Sequence, residues 1–218
     1  MFESPLAQYE RSAPVIFKRD RSLPQNQCSH SAMSLPQKPS KADLQAAYHQ
    51  TVPDIVGPEL QVLFCGINAS IYSAAVGHHF ARPGNRLWKT LHYAGFTERI
   101  LRPAEDQTLL TYGYGMTNIV ARATARADEL ARPELEQGKT ELITKVETHR
   151  PRWLAILGIT AYRTAFAQRQ AQIGYQSQTI GDTQLWVLPN PSGLNAHYQL
   201  DDLVIAYGQL YQAVCETR

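Results

Sequence analysis

Apolar and polar positions along this chain change period repeatedly after about residue 50. Short, mostly apolar runs at 61–65, 153–157 and 185–188 predict strands, and 115–120 reads as a strand or strand end. Between them, apolar residues spaced three and four apart predict helices over 85–94, 103–110, 133–149, 160–168 and 200–215. Pro103 opens one of these helices, with Glu105 and Asp106 near its amino end. The segments 178–180 and 185–188 flank Gly181-Asp182-Thr183 and read as a hairpin. Strands alternating with helices predict an α/β sandwich built on a mainly parallel sheet.

The first 50 residues lack this patterning. They are rich in Ser, Pro, Gln and Lys, and cannot bury enough apolar surface to offset the entropy of ordering. Residues 1–50 are therefore expected to be a largely disordered tail, and 51–218 a single domain. One short helix is expected inside the tail, over 41–48, capped by Ser40 with Asp43 three residues on. The tail holds six Lys or Arg against four Asp or Glu, leaving fifteen of each sign in the body. It is either a dispensable extension or a weak, non-specific DNA tether, and any basic face on the body must come from arrangement.

A hydrophobic fraction of 44% with 18% charged residues is ordinary for a globular domain. No run reaches the ~18 apolar residues that span a bilayer, and the amino terminus lacks a charged head followed by an apolar stretch. Cys28, Cys65 and Cys215 are too few and too scattered for a disulfide framework or a metal cage. A reducing, intracellular location is expected, with no membrane partner.

Two short loops follow apolar runs: Gly66-Ile67-Asn68-Ala69-Ser70 and Asn190-Pro191-Ser192-Gly193-Leu194-Asn195. Open α/β sheets place their chemistry at the carboxyl ends of strands. The Asn68 amide can fix a water but is a very weak base. It suits a bond that breaks dissociatively, such as an N-glycosidic bond whose leaving anion backbone N–H groups can stabilise. Asn after a strand is also a common turn residue. Between the loops, Phe80 lies in Gly77-His78-His79-Phe80-Ala81-Arg82-Pro83-Gly84-Asn85-Arg86, where its ring is either a stacking platform or a core anchor. His78 and His79 are adjacent and point apart, and lack the spacing of metal ligands. Leu194 is an apolar residue at a polar loop tip; it would either pack inward or fill the gap left by an extruded nucleotide.

These pieces resemble the mismatch-specific uracil/thymine-DNA glycosylases, the second family of the uracil-DNA glycosylase superfamily. The resemblance runs from about Val52 to Val214. It is carried by Leu63-Phe64-Cys65-Gly66-Ile67-Asn68, Gly77-His78-His79-Phe80, Pro83-Gly84-Asn85-Arg86-Leu87-Trp88, Gly115-Met116-Thr117-Asn118, Ile156-Leu157-Gly158 and Leu188-Pro189-Asn190-Pro191-Ser192-Gly193-Leu194. It implies a three-layer α/β/α sandwich that flips uracil from double-stranded DNA, best opposite guanine, and hydrolyses its N-glycosidic bond to leave an abasic site. Thymine and other 5-modified pyrimidines are further candidate substrates. The resemblance implies that Asn68 holds the attacking water and Phe80 stacks on the base. The backbone around Ile67 and Phe80 would meet the base edges, and Ser73 would line the pocket. Asn118 and Thr124 fall where some relatives approach the base or its 5-substituent. Asn190 and Ser192 would touch the pocket or phosphates, Leu194 would fill the gap, and Gly193 and Asn195 would read the widowed guanine. No cofactor or metal is implied, and a monomer is expected.

Two positions depart from the family pattern. Its first motif continues Asn-Pro-Gly, where this chain has Asn68-Ala69-Ser70, and many relatives carry Arg where this chain has Ala196. The first change removes a φ restraint and adds a Cβ near the pocket; it favours an alternative, a catalytically impaired mismatch or abasic-site binder. The second predicts a weaker grip on product. Asp106 is a candidate carboxylate assistant to Asn68. The four cysteines that mark iron–sulfur relatives are absent. Neither a lysine-nucleophile motif for a lyase nor the G-x-S-x-G of an α/β hydrolase is present.

Overall fold

The computed structural model describes residues 38–217. Five strands form one sheet in the order β2-β1-β3-β5-β4. They are β1 (Val62–Ser70), β2 (Tyr114–Thr124), β3 (Trp153–Leu157), β4 (Gly174–Ile180) and β5 (Thr183–Leu188). All neighbours are parallel except β4, which returns antiparallel to β5 through a tight turn at Gly181, with φ +55°. Side chains alternate across a strand, and both faces of this sheet are covered. Val62 and Phe64 of β1, with Trp153, Ala155 and Leu157 of β3, pack into one core with α3 (Leu87–Tyr93) and α6 (Leu200–Glu216). Leu63 and Cys65, with Leu154 and Ile156, face the opposite core under α4 (Arg132–His149) and α5 (Ile159–Ala165). The three-layer α/β/α architecture follows. Helix α6 shows how the pattern works: Leu203, Ala206, Tyr207, Leu210 and Val214 make one buried stripe.

Several bounds differ from the sequence reading, for physical reasons. The segment Gly66–Ser70, read as a loop, continues β1: Asn68 pairs with Val120 and Ser70 with Thr124 across an irregularity. Pairing with a long neighbour extends this strand past its apolar run. Residues 103–110 form part of a 3₁₀ segment, Pro103–Tyr112, and not an α-helix. Glu105 departs from helical geometry there, its carboxylate drawn to Arg99, Arg102 and the Arg102 N–H. A short helix, α2 (Ile71–Val76), has too few residues to show a period in the sequence.

Most of the stretch read as a tail, residues 1–37, lies outside the described residues. Within the remainder, α1 (Lys41–Ala46) carries the expected capping box, Asp43 N–H to Ser40 Oγ at 3.2 Å and Ser40 N–H to Asp43 Oδ2 at 2.8 Å. The chain after it is tied to the end of β2, His49 N–H donating to Ala123 O and Ala123 N–H to Gln50 O.

Candidate functional site

A cavity of about 520 Å³ opens at the carboxyl end of the sheet. Ile67, Asn68, Ser73, Phe80, Asn118, Thr124, Asn190, Ser192, Leu194 and Asn195 all line it, so ten of the eleven residues to which the resemblance assigned a role are brought together. The eleventh, Gly193, is in the same loop, next to Leu194. A Cβ on Gly193 would meet the Gly84 carbonyl oxygen at 2.6 Å, so only glycine lets the two loops approach this closely.

Asn68 is oriented by its neighbours. Its Nδ2 donates one proton to Arg122 O at 3.1 Å and the other to Thr124 Oγ1 at 2.7 Å. The Thr124 hydroxyl proton goes to Arg126 O, so toward Asn68 that oxygen can only accept. This fixes which end of the amide is which. Both Nδ2 protons are used, and Oδ1, an acceptor, is left for the cavity. Thr124 is 1% exposed and therefore serves here as a strut for Asn68. The Arg122 side chain is itself pinned to Glu134, whose carboxyl it helps pull down to about 2.

The opposite wall is the segment from Gly77 to Arg86. Phe80 sits in the left-handed region at φ +51°, an uncommon conformation for an aromatic residue. Three contacts hold it there. Ser73 Oγ accepts from Ala81 N–H at 3.0 Å, Asp106 Oδ2 accepts from His79 N–H at 3.1 Å, and His79 Nε2–H donates to Pro53 O at 2.9 Å. Burial pushes the pKa of His79 down, keeping the imidazole neutral with its Nε2 proton committed. Gly66 lies underneath; a Cβ there would sit 3.0 Å from the Phe80 ring and collide with Asn118 Oδ1. Asn118 is 6% exposed, and its amide makes no hydrogen bond among the described residues, so both ends are available to the cavity. The Phe80 N–H is likewise uncommitted among the described residues.

Asp106 does not reach the cavity. It is 3% exposed behind the wall, gripping the His79 N–H and the His78 ring, and so is a strut and not an assistant to Asn68. Among the described residues the lining includes one carboxylate, Asp128, which is exposed and paired with Arg126; no lysine lines it. The Ala69-Ser70 departure also has a local explanation. Ser70 has φ −71°, so its position needs no glycine, and its hydroxyl caps α2 by accepting from Ser73 N–H at 3.1 Å. Ala69 is buried against Val52 and Ala123.

The loop from Asn190 to Asn195 is built from its own side chains. Asn190 Oδ1 accepts from Ser192 N–H, Ser192 Oγ from Leu194 N–H, and Asn195 Nδ2 donates to Asn190 O. Leu194 ends up 68% exposed. Arg86 was assigned no role from the sequence; its guanidinium enters this loop from below and reaches several of its carbonyls. The only signal for it is position: an Arg at the start of a helix, where a cation has little electrostatic reason to be.

A sequence model of the uracil DNA glycosylase superfamily matches residues 53–210, a span that includes every residue of the cavity described above. The fold is similar to the solution NMR structure of a candidate uracil DNA glycosylase from Methanosarcina acetivorans. The match has a TM-score of 0.55 and 14% identity, covering 76% of this chain and 98% of that one.

Proposed function

Because the chain belongs to the uracil DNA glycosylase superfamily, we propose that it is a monofunctional, mismatch-directed glycosylase. It takes uracil out of double-stranded DNA, best opposite guanine, and hydrolyses the N-glycosidic bond to leave an abasic site. It works as a monomer, without a cofactor, and other 5-modified pyrimidines such as thymine enter to the extent the pocket admits them. The observation that carries this reading is the orientation of Asn68: a neutral amide with both protons engaged and one acceptor left toward a cavity of about 520 Å³, roomy enough to admit a flipped base.

The chemistry follows from what Asn68 can and cannot do. An amide cannot take up a proton, so the water it holds is not deprotonated in advance. The C1′–N1 bond must break first, its electron pair leaving with the base as a uracil anion and a sugar cation remaining. Water donating a hydrogen bond to Asn68 Oδ1 keeps a lone pair for C1′; after it adds, its proton leaves to solvent or to the departing base. The Phe80 N–H and the Asn118 amide are the donors available to the developing anion, and the Phe80 ring is the stacking face. Leu194 occupies the space the base vacates, Asn190 and Ser192 touch the pocket or the phosphates, and Gly193 and Asn195 meet the widowed guanine. The absence of lysine from the described lining agrees with hydrolysis and not a Schiff-base lyase.

The test is single-turnover release of uracil from a duplex with one G·U pair, comparing wild type with Asn68→Ala. Loss of about 10²–10³ in rate, with duplex binding retained, is expected from removing a group that acts on the transition state. A wild type that binds the duplex and releases nothing would replace this reading with that of a mismatch binder.

A further inference from the structure

We propose that Arg86 is a positioning residue that locks the wedge loop to the base pocket, so that Leu194 is presented ready to enter the duplex. This rests on the glycosylase reading above. The Arg86 guanidinium donates to four carbonyl oxygens along one loop: Nη1 to Tyr198 O, Nη2 to Ser192 O and to Asn195 O at 3.0 Å, and Nε to Pro191 O at 3.4 Å. Its own backbone N–H donates to Pro191 O at 3.0 Å. Arg86 forms no salt bridge with a carboxylate among the described residues. A planar fork of donors that gathers carbonyls from one loop fixes that loop's shape far better than a point charge would.

Three further features make the same junction rigid. Gly193 lies against the Gly84 carbonyl, two residues before Arg86. The loop's beginning is held from α6, where the buried Tyr207 hydroxyl donates to Pro189 O at 3.2 Å. The Arg86 carbonyl starts α3, accepting from Thr90 N–H and Thr90 Oγ1. The base-stacking wall and the wedge are therefore one connected piece. An exposed leucine on an untethered loop would turn inward or fluctuate, and ordering it would be subtracted from the gain of inserting it.

The clamp also sets the polarity of the loop surface. In a trans peptide the carbonyl and the following N–H point in opposite directions. Drawing the Ser192 and Asn195 carbonyls onto the guanidinium turns the Gly193 and Ala196 N–H groups away from it. Neither N–H has an acceptor among the described residues. Arg86 thus turns two donors toward the side that DNA would approach, at the position where Ala196 offers no side-chain cation.

The experiment measures base opening and excision separately. A 2-aminopurine is placed next to a non-hydrolysable 2′-fluoro-deoxyuridine opposite guanine, and its fluorescence rise is recorded at saturating protein. Single-turnover uracil release is then compared between a G·U duplex and a one-nucleotide bulge, where the base is already unpaired. For Arg86→Gln the fluorescence rise should be largely lost. Excision from the duplex should fall about ten-fold or more, the scale of lost charge-assisted hydrogen bonds, and fall less from the bulge. Arg86→Lys should not restore either, since an ammonium cannot span four carbonyls. Should Arg86→Gln fail to fold by thermal melting, Gly193→Ala, which pushes the same loop off Gly84, should reproduce the pattern. Equal losses on duplex and bulge, or an unchanged fluorescence rise, would overturn the inference. A wild type that releases no uracil from either substrate would instead overturn the glycosylase reading.

Discussion

At the scale of single residues, the site depends on side chains whose hydrogen bonds leave one group free. Asn68 has its two donors consumed and its acceptor spared, and Thr124 is what completes that arrangement. Thr124→Val removes the acceptor, strands one Nδ2 proton and lets the amide turn. Excision of uracil from G·U should then fall about ten-fold, whereas Thr124→Ser, which keeps the hydroxyl, should recover most of the rate in the same single-turnover assay. A pure base contact by Thr124 would instead change the ranking of uracil against 5-substituted pyrimidines. The sequence pointed at Thr124 and Asn118 together, but only their surroundings separate them: one is committed to Asn68 and the other is uncommitted.

At the scale of elements, the cavity is held open by short joints between strands and helices. Ser70 ends β1 and caps α2, and Ser73 of α2 in turn holds the Ala81 N–H behind Phe80. Ser70→Ala should cost about 1 kcal/mol, as loss of an N-cap usually does, measured by urea unfolding, with a weaker effect on duplex binding. Gly138 marks a second joint, where α4 crosses β2. A Cβ there would collide with the Ile119 carbonyl oxygen and stand 3.2 Å from the Ile119 side chain. Helix propensity alone favours Gly138→Ala by about 1 kcal/mol. Backbone cannot give way as a side chain can, so overpacking of ~1–3 kcal/mol should prevail. A lowered Tm in this variant is the expected result, and a raised one would mean that α4 slides freely on the sheet.

For the whole molecule, stability should fall toward acid in two stages. His79 is held neutral by burial, so its folded pKa lies below the ordinary ~6.5. The unfolded chain then binds the extra proton first, and stability is full above that value and lost as pH drops below it. Glu105 and Glu134 are held down to about 2 by their arginine partners and backbone N–H groups. Their contribution is present above the ordinary carboxylate range and is lost as pH falls through ~4.5 toward 2. Because these carboxylates are partly solvated, the second stage should be shallow. Tm recorded from pH 8 to 3 should be level down to about 6.5 and decline below it. His79→Gln, which retains a donor for Pro53 O, should flatten the first stage only. The described chain has no helix long and apolar enough to cross a membrane, and these charges lie on its outer surfaces.

Much of this protein was written in the linear pattern. Apolar runs at 61–65 and 153–157 could only be buried on both sides, which requires helices above and below and so the sandwich. The order of short motifs pointed to the cavity residues. Tertiary structure decided what pattern cannot carry, because hydrogen bonds to distant backbone leave no period in the sequence. It extended β1 through Asn68, by pairing with β2, and changed residues 103–110 from an α-helix to a 3₁₀ segment. It moved Asp106 from assistant to strut, gave Ser70 a capping role, and brought Arg86 under a loop more than a hundred residues away. Residue types and their order determined the layers and the chemistry on offer. Which lone pair faces the cavity, and what Arg86 grips, were settled only when the chain closed on itself.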